Sequence, residues 1–157
     1  GSDISYDEIP GKGEALGKTN IVAREAYVTG DLRFLGEEQK ERTRAKMKEI
    51  VDRNLNQTDA EITFRDGIPS MSPREENYEL AAILNQVSLD MGLGEVQPGD
   101  PGSRGAADIA YVAEILPGLD GLGASGRGAH APGETINMKQ FPDLIKRNTI
   151  LLYRLTR

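Results

Sequence analysis

Apolar and polar residues alternate with period two in two short stretches that flank a helical one. In residues 20–35 the apolar side chains fall on one side of the chain and the polar ones on the other, which predicts a half-buried strand. Residues 60–65 repeat this alternation and predict a second strand. Between them, residues 37–54 carry one narrow apolar stripe at helical spacing, with Glu37 and Glu38 in the first turn, where the helix dipole favours anions. The pattern predicts a strand–helix–strand unit whose crossover is long enough for parallel neighbours in one sheet.

The second half of the chain is dominated by helical spacing and by loops. Ser72-Pro73-Arg74-Glu75 combines a capping Ser, a Pro at the first position and a Glu at the third, and it predicts the start of a helix. Apolar residues at helical spacing continue that helix until Gly92. We predict a short helix over roughly residues 106–116 and, after a glycine-dense stretch, a final amphipathic helix from about Pro142.

The predicted elements divide the chain into three parts. Residues 1–19 form a flexible segment, and within them residues 3–19 are predicted to be a loop because they lack periodicity and contain several glycines and one proline. Residues 20–71 form the strand–helix–strand part, and residues 72–157 form a helix-rich part. The predicted fold class is α/β of the α+β type.

Composition limits the chemistry that these elements can carry. The chain has 157 residues, no Cys, one His and a formal net charge of −6. The lack of Cys excludes disulfides, thiol catalysis and cysteine-based metal sites, and the acidic balance argues against a general nucleic-acid binder. No apolar run reaches about 18 residues, so no transmembrane helix is predicted. The basic run Lys40–Lys48 is interpreted as the solvated face of its helix.

Two glycine-rich segments are similar to nucleotide-binding motifs, but one differs in spacing and neither has the structural context that its motif requires. Gly11–Thr19 reads GKGEALGKT, but the spacing before Gly-Lys-Thr is wrong, and the segment leads into a predicted strand instead of a helix. Gly121–Gly126 has the spacing of the dinucleotide fingerprint, yet Arg127–Pro132 cannot form the helix that the fingerprint requires. We therefore expect a nucleotide site in neither segment.

The single histidine, His130, lies in the segment Gly-Ala-His-Ala-Pro-Gly. A zinc site takes about three or four protein ligands, so this chain, with no Cys and one His, could complete one only by using several carboxylates. A Ser-His-Asp triad would pass through the same residue. Neutral imidazole is the commonest metal ligand in proteins, and the surrounding glycines let the backbone approach a ligand closely. His130 is therefore the candidate metal ligand.

Three segments, in their order and spacing, resemble the C-terminal part of a di-zinc metallopeptidase family. This family includes glutamate carboxypeptidases, aminoacylases, acetylornithine deacetylases and succinyl-diaminopimelate desuccinylases. Lys18–Val22, followed by Gly30–Phe34, is similar to the strand of the family's lid domain. Gly105–Ile109 is similar to its glycine-rich turn before a helix, and Leu119–Glu134 is similar to its C-terminal metal-ligand loop.

The resemblance implies a fold, an activity and partners. Residues 20–71 would be the second half of a lid domain that mediates dimerisation, and residues 72–157 would be the end of the catalytic domain. The implied reaction is hydrolysis of an amide bond next to a free carboxylate, in a peptide or an N-acyl amino acid. Two zinc ions would share a hydroxide while a Glu moves its proton. The implied partners are the substrate and a second copy bound through the lid, with neither nucleic acid nor membrane.

The resemblance also assigns roles to individual residues. Asn20 would be the lid asparagine that reaches the substrate, and His130 would be the last ligand to one zinc. Gly105 and Ala106 would form the turn whose backbone lies against the carboxylate end of the substrate.

Two features of the family's pattern are missing. In glutamate carboxypeptidases an Arg directly before a Pro grips the substrate carboxylate, but here Ile68 precedes Pro69, which leaves Arg65 and Arg104 as open alternatives. The family's other metal ligands and its general base precede the lid strand, and this sequence has no counterpart of them. We therefore expect a piece of a larger enzyme that is inactive alone. The alternative is a non-catalytic dimerisation module built on residues 20–65.

Overall fold

The computed structural model describes residues 2–7, 12–103 and 105–157, which contain three α helices and two two-stranded sheets. This content confirms the α+β fold class. The chain divides into two units, Gly1–Arg33 and Phe34–Arg157, each with its own elements. The proposed assignment of lid and catalytic parts concerns function and stays a prediction.

The loop predicted over residues 3–19 is wrong at residues 3–7 and 12–16, where two strands pair, and residues 8–11 lie outside the described residues. Strand β1 (Asp3–Asp7) and strand β2 (Lys12–Leu16) run antiparallel. Ile4 and Tyr6 are half-buried between exposed polar neighbours. This alternation spans only five residues beside a glycine-rich segment, so it was too short to distinguish a strand from a loop by pattern alone.

A glycine and two tyrosines hold this first unit together. The strands approach closely at Gly13, where an added Cβ would lie 2.8 Å from the carbonyl oxygen of Ser5. The ring of Tyr6 contacts the ring of Tyr27, with centroids 4.3 Å apart. A larger residue at Gly13 would therefore push the strands apart.

The strands predicted over residues 20–35 and 60–65 are wrong, since no strand ladder forms in either stretch among the described residues. The alternation survives in burial: Ile62 and Phe64 are half-buried, whereas their sequence neighbours are exposed. Alternation reports which side chains face a neighbouring element, but a strand also needs a partner for its backbone N–H and C=O groups. The residues of a short stretch do not by themselves specify which other strand, if any, will pair with it.

Helix α1 (Glu37–Val51) confirms the predicted helix, but its basic run is not fully solvated. The side chains of Lys40 and Arg44 are only 12% and 15% exposed. The guanidinium of Arg44 lies 5.2 Å from the ring centroid of Phe64, and its Nη2 donates to Oδ1 of Asp66 at 2.6 Å. Hydrogen bonds from Arg44 and then Lys40 lower the pKa of the Asp66 carboxyl. Long cationic stems therefore attach α1 to the segment that follows it.

Helices α2 (Glu75–Asp90) and α3 (Phe141–Leu155) confirm the two other long predicted helices and pack against each other. The buried apolar residues of this pair are Leu84, Val87, Leu144 and Leu151. Arg154 of α3 forms an ion pair with Asp90 of α2 at the edge of the contact. This pair of helices forms the core of the second unit.

The segments that connect the long helices agree with the sequence predictions only in part. Gly92 ends α2 as predicted, with a φ of +69°, and the N–H of Leu93 donates to the carbonyl of Ser88 at 3.0 Å. The short helix predicted over residues 106–116 is reduced to a 3₁₀ turn at Asp108–Tyr111.

Within the described residues, no helix combines the length and the apolar composition that crossing a bilayer requires.

Candidate metal-binding hairpin

The segment around His130 is a small hairpin that sequence analysis did not predict. Strand β3 (Gly126–Arg127) pairs antiparallel with strand β4 (Thr135–Ile136). A Cβ at Gly126 would collide with the carbonyl oxygen of Thr135, so only glycine permits this approach. These strands were not predicted because each is only two residues long and lies in a glycine-rich stretch.

The loop of this hairpin consists of two consecutive turns. The N–H of Ala131 donates to the carbonyl of Gly128 at 3.0 Å, and the N–H of Glu134 donates to the carbonyl of Ala131 at 3.1 Å. In the second turn, Pro132 and Gly133 occupy the two central positions, and Gly133 has a φ of +85°. A Pro followed by a residue with positive φ is the signature of a type II turn.

His130 occupies the corresponding third position of the first turn, with a φ of +63°. This left-handed conformation costs about 1–2 kcal/mol for a residue other than glycine. The side chain is exposed, and its ring forms no hydrogen bond within the described residues. The strained backbone is therefore not compensated by a hydrogen bond of the ring, and such outliers concentrate at functional sites.

The other residues predicted for the site are distributed over both units. Asn20 is exposed in the first unit, in a turn that follows β2. Gly105 and Ala106 are exposed in the second unit, before the 3₁₀ turn, and no heavy atom lies within 4 Å of a Cβ built on Gly105. Arg104 lies outside the described residues. The roles predicted for these residues and for His130 stay predictions.

One further group of residues at the hairpin escaped the sequence analysis. It is a polar face, here called the hairpin polar face, made of Ser125, Arg127, Thr135 and Asn137. These residues, with the two between them, line a cavity of about 240 Å³. The sequence does contain a signal for this face, since polar residues alternate in Ser-Gly-Arg and in Thr-Ile-Asn. The alternation shows that the four side chains share one face only when the pairing register of the strands is known.

Comparison with known proteins then identifies the family. The model of the family described as Peptidase family M20/M25/M40 matches residues 7–154. The chain belongs to this family. None of the curated proteins or solved structures compared with the chain matches it. Membership of M20/M25/M40 assigns the chain to the metallopeptidases, which are hydrolases, and confirms the resemblance at the level of the family.

M20 proteins generally bind zinc, and a site for that metal needs a matching set of donor side chains. A zinc site takes about three or four protein ligands. Among residues 2–7, 12–103 and 105–157, no three His, Asp or Glu side chains form a group that could hold a metal. His130 offers one accessible imidazole, so the described residues do not by themselves fit a complete zinc site.

Proposed function

We propose that this M20 chain supplies one part of the catalytic site of a zinc-dependent peptidase of the glutamate carboxypeptidase type. The reaction is hydrolysis of an amide bond next to a free carboxylate, in a peptide or an N-acyl amino acid. One observation carries the proposal: the chain's one histidine sits, exposed and at a φ of +63°, at a turn position where glycine is favoured.

The role proposed for His130 is that of a metal ligand. An imidazole with no hydrogen bond to the described residues can bind a cation without breaking an existing hydrogen bond. The remaining ligands and the general base come from polypeptide outside the described residues, for example from the same protein upstream of this segment. The isolated chain is then inactive, because its described residues contain no group of three side chains that could hold the metal.

The roles proposed for Asn20, Gly105 and Ala106 concern the substrate. Asn20 presents an exposed amide side chain. The open space beside Gly105 leaves its backbone accessible to a ligand. Arg104 stays a candidate for binding the substrate carboxylate because it directly precedes this turn in sequence.

The experiment measures hydrolysis of N-acyl amino acids by the intact protein and by its His130→Asn variant, with zinc added. Asn tolerates the left-handed backbone, so this variant removes the imidazole and keeps the turn. We expect turnover to fall by at least about tenfold. Losing a residue that only hydrogen-bonds a metal ligand already costs about 10- to 100-fold, so losing a ligand itself should cost no less. Unchanged turnover in His130→Asn, or zinc-dependent turnover by residues 1–157 alone, would contradict the proposal.

A second candidate function is a dimerisation module, which would mediate pairing of two copies through residues 20–65. The observation in its favour is that Ile62 and Phe64 alternate in burial with their neighbours although no strand pairs with them among the described residues. Asn20→Ala in the intact protein separates the two functions. Loss of turnover with unchanged assembly supports the enzyme, whereas loss of assembly with unchanged turnover supports the module. Sedimentation of a monomer at high concentration refutes the module.

A further inference from the structure

The hairpin polar face is ordered by the strand register. Side chains two residues apart share a face of a strand, which places Ser125 with Arg127 and Thr135 with Asn137. Arg127 pairs directly with Thr135, and the N–H of Asn137 donates to the carbonyl of Ser125 at 2.8 Å. Cross-strand partners point to the same side of the pair, so all four side chains belong to one face.

This face offers hydrogen-bond donors and one cation. Arg127 forms no ion pair with the described residues, and a guanidinium carries five N–H donors. The Oδ1 of Asn137 accepts the N–H groups of Lys139 and Gln140 at 3.2 and 3.3 Å, which leaves its NH₂ group to donate. Thr135 adds a hydroxyl group.

The electrostatic character of the cavity favours an anion. No carboxylate lines the cavity of about 240 Å³. The chain as a whole has 25 acidic against 19 basic residues, so a cavity with one cation and no acid differs from the average surface. A planar guanidinium beside neutral donors matches a carboxylate, which can accept two parallel hydrogen bonds.

We propose that the hairpin polar face binds the free carboxylate of the substrate and that Arg127 is the residue that determines this specificity. The identity of the ligand rests on the proposed function. Arg127 lies three residues before His130 on the same hairpin. An amide and the carboxylate next to it are a few bonds apart, so one short hairpin presents both groups that such a substrate requires.

This assignment differs from both arginines that the sequence left open. Arg104 lies outside the described residues, and Arg65 already takes part in an interaction. Arg127 is distinguished from them by the cavity that it lines together with neutral donors.

The test is a nuclear magnetic resonance titration of the full chain with N-acetylglycine, the smallest probe with an amide next to a carboxylate. N-acetylglycinamide is the uncharged matched probe. We expect the side-chain Nε–H of Arg127 and the amide of Thr135 to shift with the acid and not with the amide. Arg127→Gln should weaken binding about tenfold, the loss of one hydrogen bond to a charged group. Arg42→Gln, which removes an exposed charge from α1, should leave binding unchanged.

Three results overturn the proposal: equal shifts with both probes, unchanged binding in Arg127→Gln, or equal weakening in Arg42→Gln. Failure of the proposed function is recognised separately. If His130→Asn leaves turnover of the intact protein unchanged while the Arg127 shifts persist in the chain, the metal-ligand role fails and the anion site stands.

Discussion

Replacing His130 by glycine should stabilise the hairpin while removing its candidate ligand. The left-handed backbone at a φ of +63° costs a non-glycine residue about 1–2 kcal/mol. Glycine relieves that cost but loses about 0.5–1 kcal/mol through the greater freedom of the unfolded chain. The ring forms no hydrogen bond within the described residues, so no such bond is lost. The difference lies between about 0 and about 1.5 kcal/mol, and its middle value is a net gain of about 0.75 kcal/mol.

Hydrogen exchange of the Ala131 amide measures this gain directly, because that N–H donates across the turn to Gly128 at 3.0 Å. The expected gain slows exchange about two- to fivefold in His130→Gly. Ala129→Gly is the matched control, because Ala129 has no positive φ and glycine there relieves no strain. This substitution only increases the conformational entropy of the unfolded chain. Its exchange should accelerate by a similar factor. Equal acceleration in both variants would refute the reasoning, because strain at His130 would then be absent.

Two further predictions concern the rest of the second unit. Contacts with Arg44 and Lys40 hold the pKa of Asp66 below its ordinary value of 3.8. The Asp66 carboxylate therefore contributes to stability above pH 3.8, and this contribution is lost as the pH falls through the pKa of the folded state. The urea midpoints of wild type and Asp66→Asn should therefore converge between about pH 5 and about pH 2, and a constant difference would contradict this. Val87→Ala in the core should cost about 2–3 kcal/mol in urea denaturation, whereas Val112→Ala, at a position that is 41% exposed, should cost about 0.5 kcal/mol. Equal losses would show that the α2–α3 contact is not the core.

The long helices were predictable because their signals are local. The Ser-Pro-Arg-Glu segment before α2 and the Gly at residue 92 are signals that lie within one or two turns of the helix ends. The predicted Ser cap itself is wrong, because Arg74 is the N-cap of α2 and the hydroxyl of Ser72 donates to the carbonyl of Leu35 instead. The strands were not predictable, because pairing depends on residues far away in sequence. Residues 60–65 have a strand's alternation without a ladder, whereas Gly126 and Arg127 have a ladder with almost no alternation to detect.

The candidate site was predictable in its chemistry and not in its geometry. Composition alone leads to His130, since there is no Cys and no second His. Pro132-Gly133 is a recognisable turn pair, but the positive φ of His130 depends on hydrogen bonds that only the folded loop shows. The partial burial of Lys40 and Arg44 was not predictable for a related reason. Their charged groups lie over the rings of Phe34 and Phe64, which only folding brings close.

The most direct test of the account asks whether the ring of His130 binds the metal of the intact M20 protein. Cadmium, a spin-active substitute for zinc, transmits scalar coupling through a metal–nitrogen bond, so nitrogen resonance of labelled histidine reports the bond itself. We predict a cadmium coupling on one ring nitrogen of His130 that is absent from the His130→Asn variant. A metal-loaded protein in which the His130 ring shows no coupling would contradict it.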